Sequence, residues 1–150
     1  MSDKGFGIIR EIGAIELSKE SEVRFSIDEF RGRRYGSIRR FVRREDYCGP
    51  THAGITLNTA ILEGLHSVLS ELPKEPEALG DRELGRFAKR PGLTVVARIT
   101  VYRDSTDIDI REWQGDSSYT GWTKRGIRIP YNHAEKTADF LEEMRKMLAS

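Results

Sequence analysis

SIRRFVRREDYCGPTHAGITLN (37–58) returns as DIREWQGDSSYTGWTKRGIRIP (109–130), and the match extends outward at a constant offset of 72, without a gap, to 10–72 against 82–144. Ile38-Arg39 corresponds to Ile110-Arg111, Tyr47 and Gly49 to Tyr119 and Gly121, and Gly54-Ile55 to Gly126-Ile127. At the N-terminal end Arg10-Glu11-Ile12-Gly13 corresponds to Arg82-Glu83-Leu84-Gly85. Sixteen of the 63 pairs are identical, against roughly four expected by chance for ordinary composition. Many others are conservative, among them Ile15/Phe87, Phe30/Tyr102, Phe41/Trp113, Leu57/Ile129 and Val68/Phe140. A unit of about 60 residues written twice folds as a small domain that pairs with its copy, rather than stacking into a long solenoid. The sequence therefore divides into a first repeat (1–72), a linker (73–81) and a second repeat (82–150).

Each unit alone buries only a thin core, so the two copies are expected to pack through their apolar faces as an intramolecular pseudo-dimer. No stretch of the 150 residues approaches the length of a membrane span, and the first residues lack a basic and apolar leader. The expected setting is soluble and intracellular: cytoplasmic and nucleoid-associated in a bacterium, nuclear in a eukaryote. The single cysteine, Cys48, excludes an internal disulfide and fits a reducing compartment.

The net charge of +1 conceals a segregation. Between Arg31 and Arg44 stand seven arginines (31, 33, 34, 39, 40, 43, 44) and no acid, whereas Glu63 to Glu83 holds six acids against Lys74 and Arg82. One surface should be strongly positive and the linker side negative, which points the first toward a polyanion.

In the first copy Val23, Phe25 and Ile27 alternate with Arg24, Ser26 and Asp28, the period of a half-buried strand. Gly32 marks a turn, Tyr35 to Arg43 reads as a second strand, and Ala53 to Leu57 as another after the turn residues Gly49-Pro50. Ile12 to Leu17 supplies a strand ahead of these. Asn58 suits a helix N-cap, and Ile61, Leu62, Leu65, Val68, Leu69 and Leu72 recur at helical spacing before Pro73. The second copy repeats the order with strands at 84–88, 95–102, 107–113 and 125–129 and a helix from about Tyr131 to Leu148. The predicted class is α+β: two ββββα repeats, each a curved antiparallel sheet followed by a helix.

Strand parity separates core from exposed face. With Phe25, Ile27 and Ile38 inward, Arg24, Ser26, Phe30, Tyr35, Arg39, Phe41 and Arg43 face outward. In the second copy Val95, Ala97, Ile99 and Val101 go inside, and Arg98, Tyr102, Arg111 and Trp113 outside. An arginine-lined sheet with outward rings suits single-stranded nucleic acid, since unpaired bases stack on rings and each nucleotide brings a phosphate. The competing reading makes Phe30, Phe41, Tyr102 and Trp113 rim residues of a core or interface.

At EFRGRRYGSIRRF (29–41) and GPTHAGITLN (49–58) the first copy resembles the positive cofactor four family of single-stranded-DNA-binding transcriptional coactivators. The second copy resembles it at IDIREW (108–113) and at Lys124-Arg125-Gly126-Ile127. The resemblance implies a curved sheet plus a helix per unit and a DNA channel built by two sheets, here both supplied by one chain. Position by position, it implies DNA contacts at Phe30, Arg31, Arg33 and Arg39 in the first copy and at Tyr102, Arg103, Arg111, Lys124 and Arg125 in the second. The chain departs from the pattern at Asp104-Ser105, where the family has glycine and a basic residue, at His52-Ala53 in place of a basic pair, and at Arg40 in place of an acid. The family's exposed tryptophan falls on Val42 or Gln114, with Trp113 one position earlier.

Rival functions find less support. Cys48 and His52 lie four apart, but His66 and His133 are on helices and no carboxylate pair accompanies them, so neither catalysis nor a metal or cofactor is expected. Glycines 32, 36, 49 and 54 form no phosphate loop. A protein-interaction module or an RNA-binding protein on the same fold is the serious alternative, because an edge strand or helix face can bind another chain and nothing in the sequence reads a 2′-hydroxyl. The expected partner is single-stranded DNA or RNA, with the transcription machinery as a further one and no membrane.

Overall fold

The computed structural model describes residues 6–76 and 80–149, so positions 77–79 of the linker lie outside it. Two four-stranded antiparallel sheets each lead into a helix. The first comprises β1 (Phe6–Ser18), β2 (Ser21–Phe30), β3 (Arg33–Arg43) and β4 (Cys48–Leu57), followed by α1 (Thr59–Ser70). The second comprises β5 (Arg82–Arg90), β6 (Leu93–Tyr102), β7 (Ser105–Gly115) and β8 (Thr120–Pro130). A 3₁₀ turn over Tyr131–His133 then enters α2 (Ala134–Ala149). Strand order in both sheets is sequential. The predicted α+β architecture of two ββββα units is the architecture observed.

The strands run longer than periodicity indicated. Gly49-Pro50, read as a turn, belongs to β4; the reversal lies just before it, where Arg44 N–H donates to the Tyr47 carbonyl (2.8 Å). Proline is tolerated because β4 is the terminal strand of its sheet. Val101, assigned to the interior, is 39% exposed near the end of β6, beside the β6–β7 turn. Asn58 does cap α1: its side chain accepts from Ile61 N–H at 2.9 Å. At the β2–β3 hairpin Arg31 and Gly32 both take positive φ (54° and 79°), as a two-residue turn matched to strand twist requires.

A single core serves both copies. Val23, Phe25, Ile27, Ile38, Ile55 and Leu57 of the first sheet join Val95, Ala97, Ile99, Ile108, Ile110, Ile127 and Ile129 of the second, with α1 and α2 packed together among them. The helices are exchanged: α2 lies on β1, β2 and β3 of the first sheet, and α1 packs chiefly on β5 of the second. Equivalent residues make the exchange. The Phe140 ring of α2 sits where Gly13 leaves space and 4.9 Å from the Phe25 ring, while its counterpart Val68 of α1 meets Gly85. In the second half the bulk comes instead from the strand, where Phe87 fills the space over Gly64. A side chain at Gly13 or Gly64 would collide with those rings, so glycine is required at both close approaches. Lys89 of β5 also donates to Glu112 (2.6 Å) and to the Thr56 carbonyl (2.8 Å), tying the second sheet to β4 of the first.

Candidate nucleic-acid interface

The outer faces of the two sheets carry the predicted residues, and the register places them. On the first sheet Glu22 pairs with Phe41, Arg24 with Arg39, Ser26 with Ser37 and Asp28 with Tyr35, and Arg39 pairs onward with Gly54 of β4. On the second, Thr94 pairs with Trp113, Arg98 with Asp109 and Arg111 with Gly126. A bulge falls at Arg39/Phe41 and again at Arg111/Trp113, so both copies kink the strand at the arginine–aromatic step.

The arginines are engaged to different degrees. The Arg24 guanidinium lies 4.0 Å from the Phe41 ring centroid and is ion-paired to Glu22, which also takes Arg43 (2.7 Å). Those two guanidiniums hold the Glu22 carboxyl below its ordinary range. Arg39 lies against Gly54, whose missing side chain leaves it room, and donates to the Thr51 carbonyl (2.9 Å). Beneath it Asp28 is buried and accepts from the Ser26 hydroxyl (2.7 Å); burial raises its pKa above the usual carboxylate value, with Ser26, Ser37 and Arg39 opposing.

On the second sheet the fully buried Asp109 gathers three guanidiniums: Arg98 at 2.8 Å, Arg111 at 3.1 Å and Arg128 at 3.7 Å. Arg98 also lies 4.1 Å from the Trp122 centroid, and Trp122 meets Trp113 edge to face at 4.9 Å. Glu112, the neighbour of Arg111 in sequence, is buried and holds Lys89. Trp113 and Phe41 are thus half-buried, each with a neighbour already on it. Exposed rings stand at the β2–β3 and β6–β7 tips, where Phe30 and Tyr102 each carry the next arginine, Arg31 at 5.0 Å and Arg103 at 5.1 Å, and before β4 and β8, where Tyr47 and Tyr119 donate to the Pro50 and Trp122 carbonyls. Arg33 is exposed at the first tip.

Where β4 and β8 approach each other, the two copies enclose an open depression of about 570 Å³ lined by Arg39, His52, Gly54, Lys124 and Arg125. His52 and Lys124 are equivalent in the repeat, so both copies contribute to the depression, and no acid lines it. It unites Arg39 of one copy with Lys124 and Arg125 of the other, which the sequence pattern listed separately. Sequence reasoning missed Trp122, Arg128, Asp109 and Asp28. The signal for Trp122 and Arg128 was strand parity: Trp122 was hidden because β8 was started at Arg125 instead of Thr120, whereas Arg128 lay within the assigned strand and was passed over. Among the described residues no three His, Cys, Asp or Glu side chains are grouped to hold a metal ion, and no helix is long and apolar enough to cross a membrane. No protein-family model matches the chain, and no curated protein is significantly similar to it.

Proposed function

We propose that this protein binds single-stranded DNA across its paired sheets, as a tandem, single-chain version of the positive cofactor four architecture. The observation that carries the reading is the acid-free basic depression between the two copies, with Arg39, Lys124 and Arg125 converging from both. A phosphate held there leaves adjoining nucleotides over the two outer faces, where Arg24 on Phe41 and Arg98 on Trp122 offer guanidinium platforms for bases. The tip pairs Phe30–Arg31 and Tyr102–Arg103 extend the track outward. None of these groups sits on a helix suited to a duplex groove, so sequence preference along most of the strand is small. The cellular role consistent with this chemistry is transcriptional coactivation or regulation, or protection of exposed single strands.

A salt-dependent titration against oligo-dT, its RNA equivalent and a duplex tests the reading. Tight oligo-dT binding that weakens steeply with salt, with poor competition by duplex, is expected. Equal competition by duplex would make the surface a general phosphate patch, and salt-insensitive or absent binding would favour a protein-interaction module.

A further inference from the structure

The first sheet carries a second cavity, of about 160 Å³, distinct in chemistry from the basic seam. Its lining combines Ile8 and Phe41, the guanidiniums of Arg24 and Arg39, Glu11, and Asp28 with its serine partners. The volume is about that of five waters in the liquid, room for a planar ring rather than a whole nucleotide. Asp28 is only 4% exposed, and Ser26 donates to it at 2.7 Å, so its carboxylate is fixed in place before any ligand arrives. Such a preset carboxylate, in a slot that also holds apolar side chains, two guanidiniums and the further acid Glu11, is suited to reading a base edge, not to holding a phosphate, which the acids would repel.

We infer that this cavity takes one base extruded from the bound strand and selects guanine there, an inference that rests on the single-strand reading above. Guanine presents N1–H and the N2 amino group side by side, matching the two oxygens of one carboxylate, while its O6 acceptor suits a guanidinium such as that of Arg39. Cytosine and adenine each offer one amino group beside an acceptor nitrogen, so one of the two contacts is lost. Thymine presents a single N–H between two carbonyl oxygens, and the carboxylate opposes both. The second sheet has no equivalent reader: Thr100 stands at the position of Asp28, Arg98 at that of Ser26, and the Asp109 carboxylate is already taken up by arginines. The two faces of one chain thus divide the work, one tolerant of any base and one selective at a single position.

The test is an anisotropy titration of the intact chain with oligo-dT and with the same oligomer carrying one central dG, dA or dC. The dG oligomer should bind at least about fivefold tighter than oligo-dT, the lower end of what a bidentate base-edge contact contributes, with dA and dC between. Replacing that dG by N1-methyl-dG should remove the advantage, and Asp28→Asn should bring the dG oligomer to the level of oligo-dT. The methylated base needs no altered protein, so the outcome does not depend on whether the variant folds. Equal affinity for all four oligomers, or a dG advantage that survives N1-methylation, overturns the inference while leaving single-strand binding intact. Failure to bind any oligomer removes both.

Discussion

Arg39 and Arg111 occupy the same place in the two repeats, beside the same bulge and over the same missing side chain, Gly54 or Gly126, yet they are in different electrical situations. A position on the same strand decides it. Ser37 stands two residues before Arg39, and Asp109 two before Arg111. Asp109 draws Arg98, Arg111 and Arg128 inward, whereas Arg39 bonds a carbonyl and borders the acid-free seam. Duplication preserved the cation, and the serine-to-aspartate difference gives Arg111 an ion pair on its own strand, whereas Arg39 has buried Asp28 nearby but makes no ion pair with it. A buried carboxylate close to an arginine removes much of the long-range field that the arginine would otherwise project.

The largest expected effect comes from breaking the pairing itself. Because each helix packs on the other copy's sheet, cutting the chain within 73–81 and purifying each half should yield two pieces without cooperative melting or ordered near-ultraviolet dichroism. Mixing the halves should restore both. A folded monomer from either half would show that the exchange of helices is dispensable.

This division explains what the sequence could and could not convey. Repeat spacing and residue alternation are local, so the eight strands, two helices and the Asn58 cap were legible, and the apolar stripes implied that the copies pair. Which sheet each helix covers was not, because Phe140 on Gly13 and Phe87 on Gly64 join residues far apart in sequence. The outward face was found by parity, but parity gives direction, not partnership. It placed Arg24, Arg98 and Arg111 on the ligand side, and with them Glu22 and Asp109, two residues before Arg24 and Arg111 on the same strands, but did not show which cation each acid would bind. The basic seam depends on β4 meeting β8, a contact between copies that neither repeat's pattern contains.

The next effect in size tests the serine–aspartate difference directly. Asp109→Ser gives the second sheet the first sheet's chemistry and should lower stability by about 2 kcal/mol. That is less than the usual cost of breaking a buried pair, because the arginines left behind are partly exposed. The same change should tighten oligo-dT binding and steepen its salt dependence by about one counterion or more. Ser37→Asp is the reverse exchange and should weaken binding by capturing Arg39. Thermal melts and titrations on both variants check the pair, and movement of affinity in the same direction for both would contradict the account.

Alanine at the two arginines should then divide along the same line. Arg39→Ala should cost about 1 to 3 kcal/mol of oligo-dT affinity, the worth of a charge-assisted contact, and about 1 kcal/mol or less of stability for the lost bond to Thr51. Arg111→Ala should do the opposite, lowering the melting temperature more than the affinity, since it withdraws a partner from buried Asp109. Sequence equivalence alone predicts equal affinity losses, so measuring both quantities for both variants separates the two expectations.

The smallest effect belongs to the helices, whose equivalent positions 70 and 142 also diverge. Ser70 donates back to the His66 carbonyl of its own helix (2.6 Å), whereas Glu142 accepts twice from Arg145 (2.8 and 2.9 Å) and lies 4.0 Å from His66 of α1. Arg145 in turn reaches Glu63 of α1 at 3.8 Å, so a small charge network on α2 spans the helix pair. The Arg145 bond, aided by the positive charge nearby, brings the Glu142 pKa down from 4.5 to about 2. With the folded-state pKa below the unfolded one, the stabilisation is complete above the unfolded value and disappears as pH falls through the folded value. Solvent exposure keeps the contribution small, in the manner of other surface pairs. Urea midpoints followed from about pH 5 to about pH 2 should therefore fall more steeply for the wild-type chain than for Glu142→Ser, which gives α2 the residue α1 already has. Parallel curves for the two proteins would mean that the network contributes nothing to the joining of the helices.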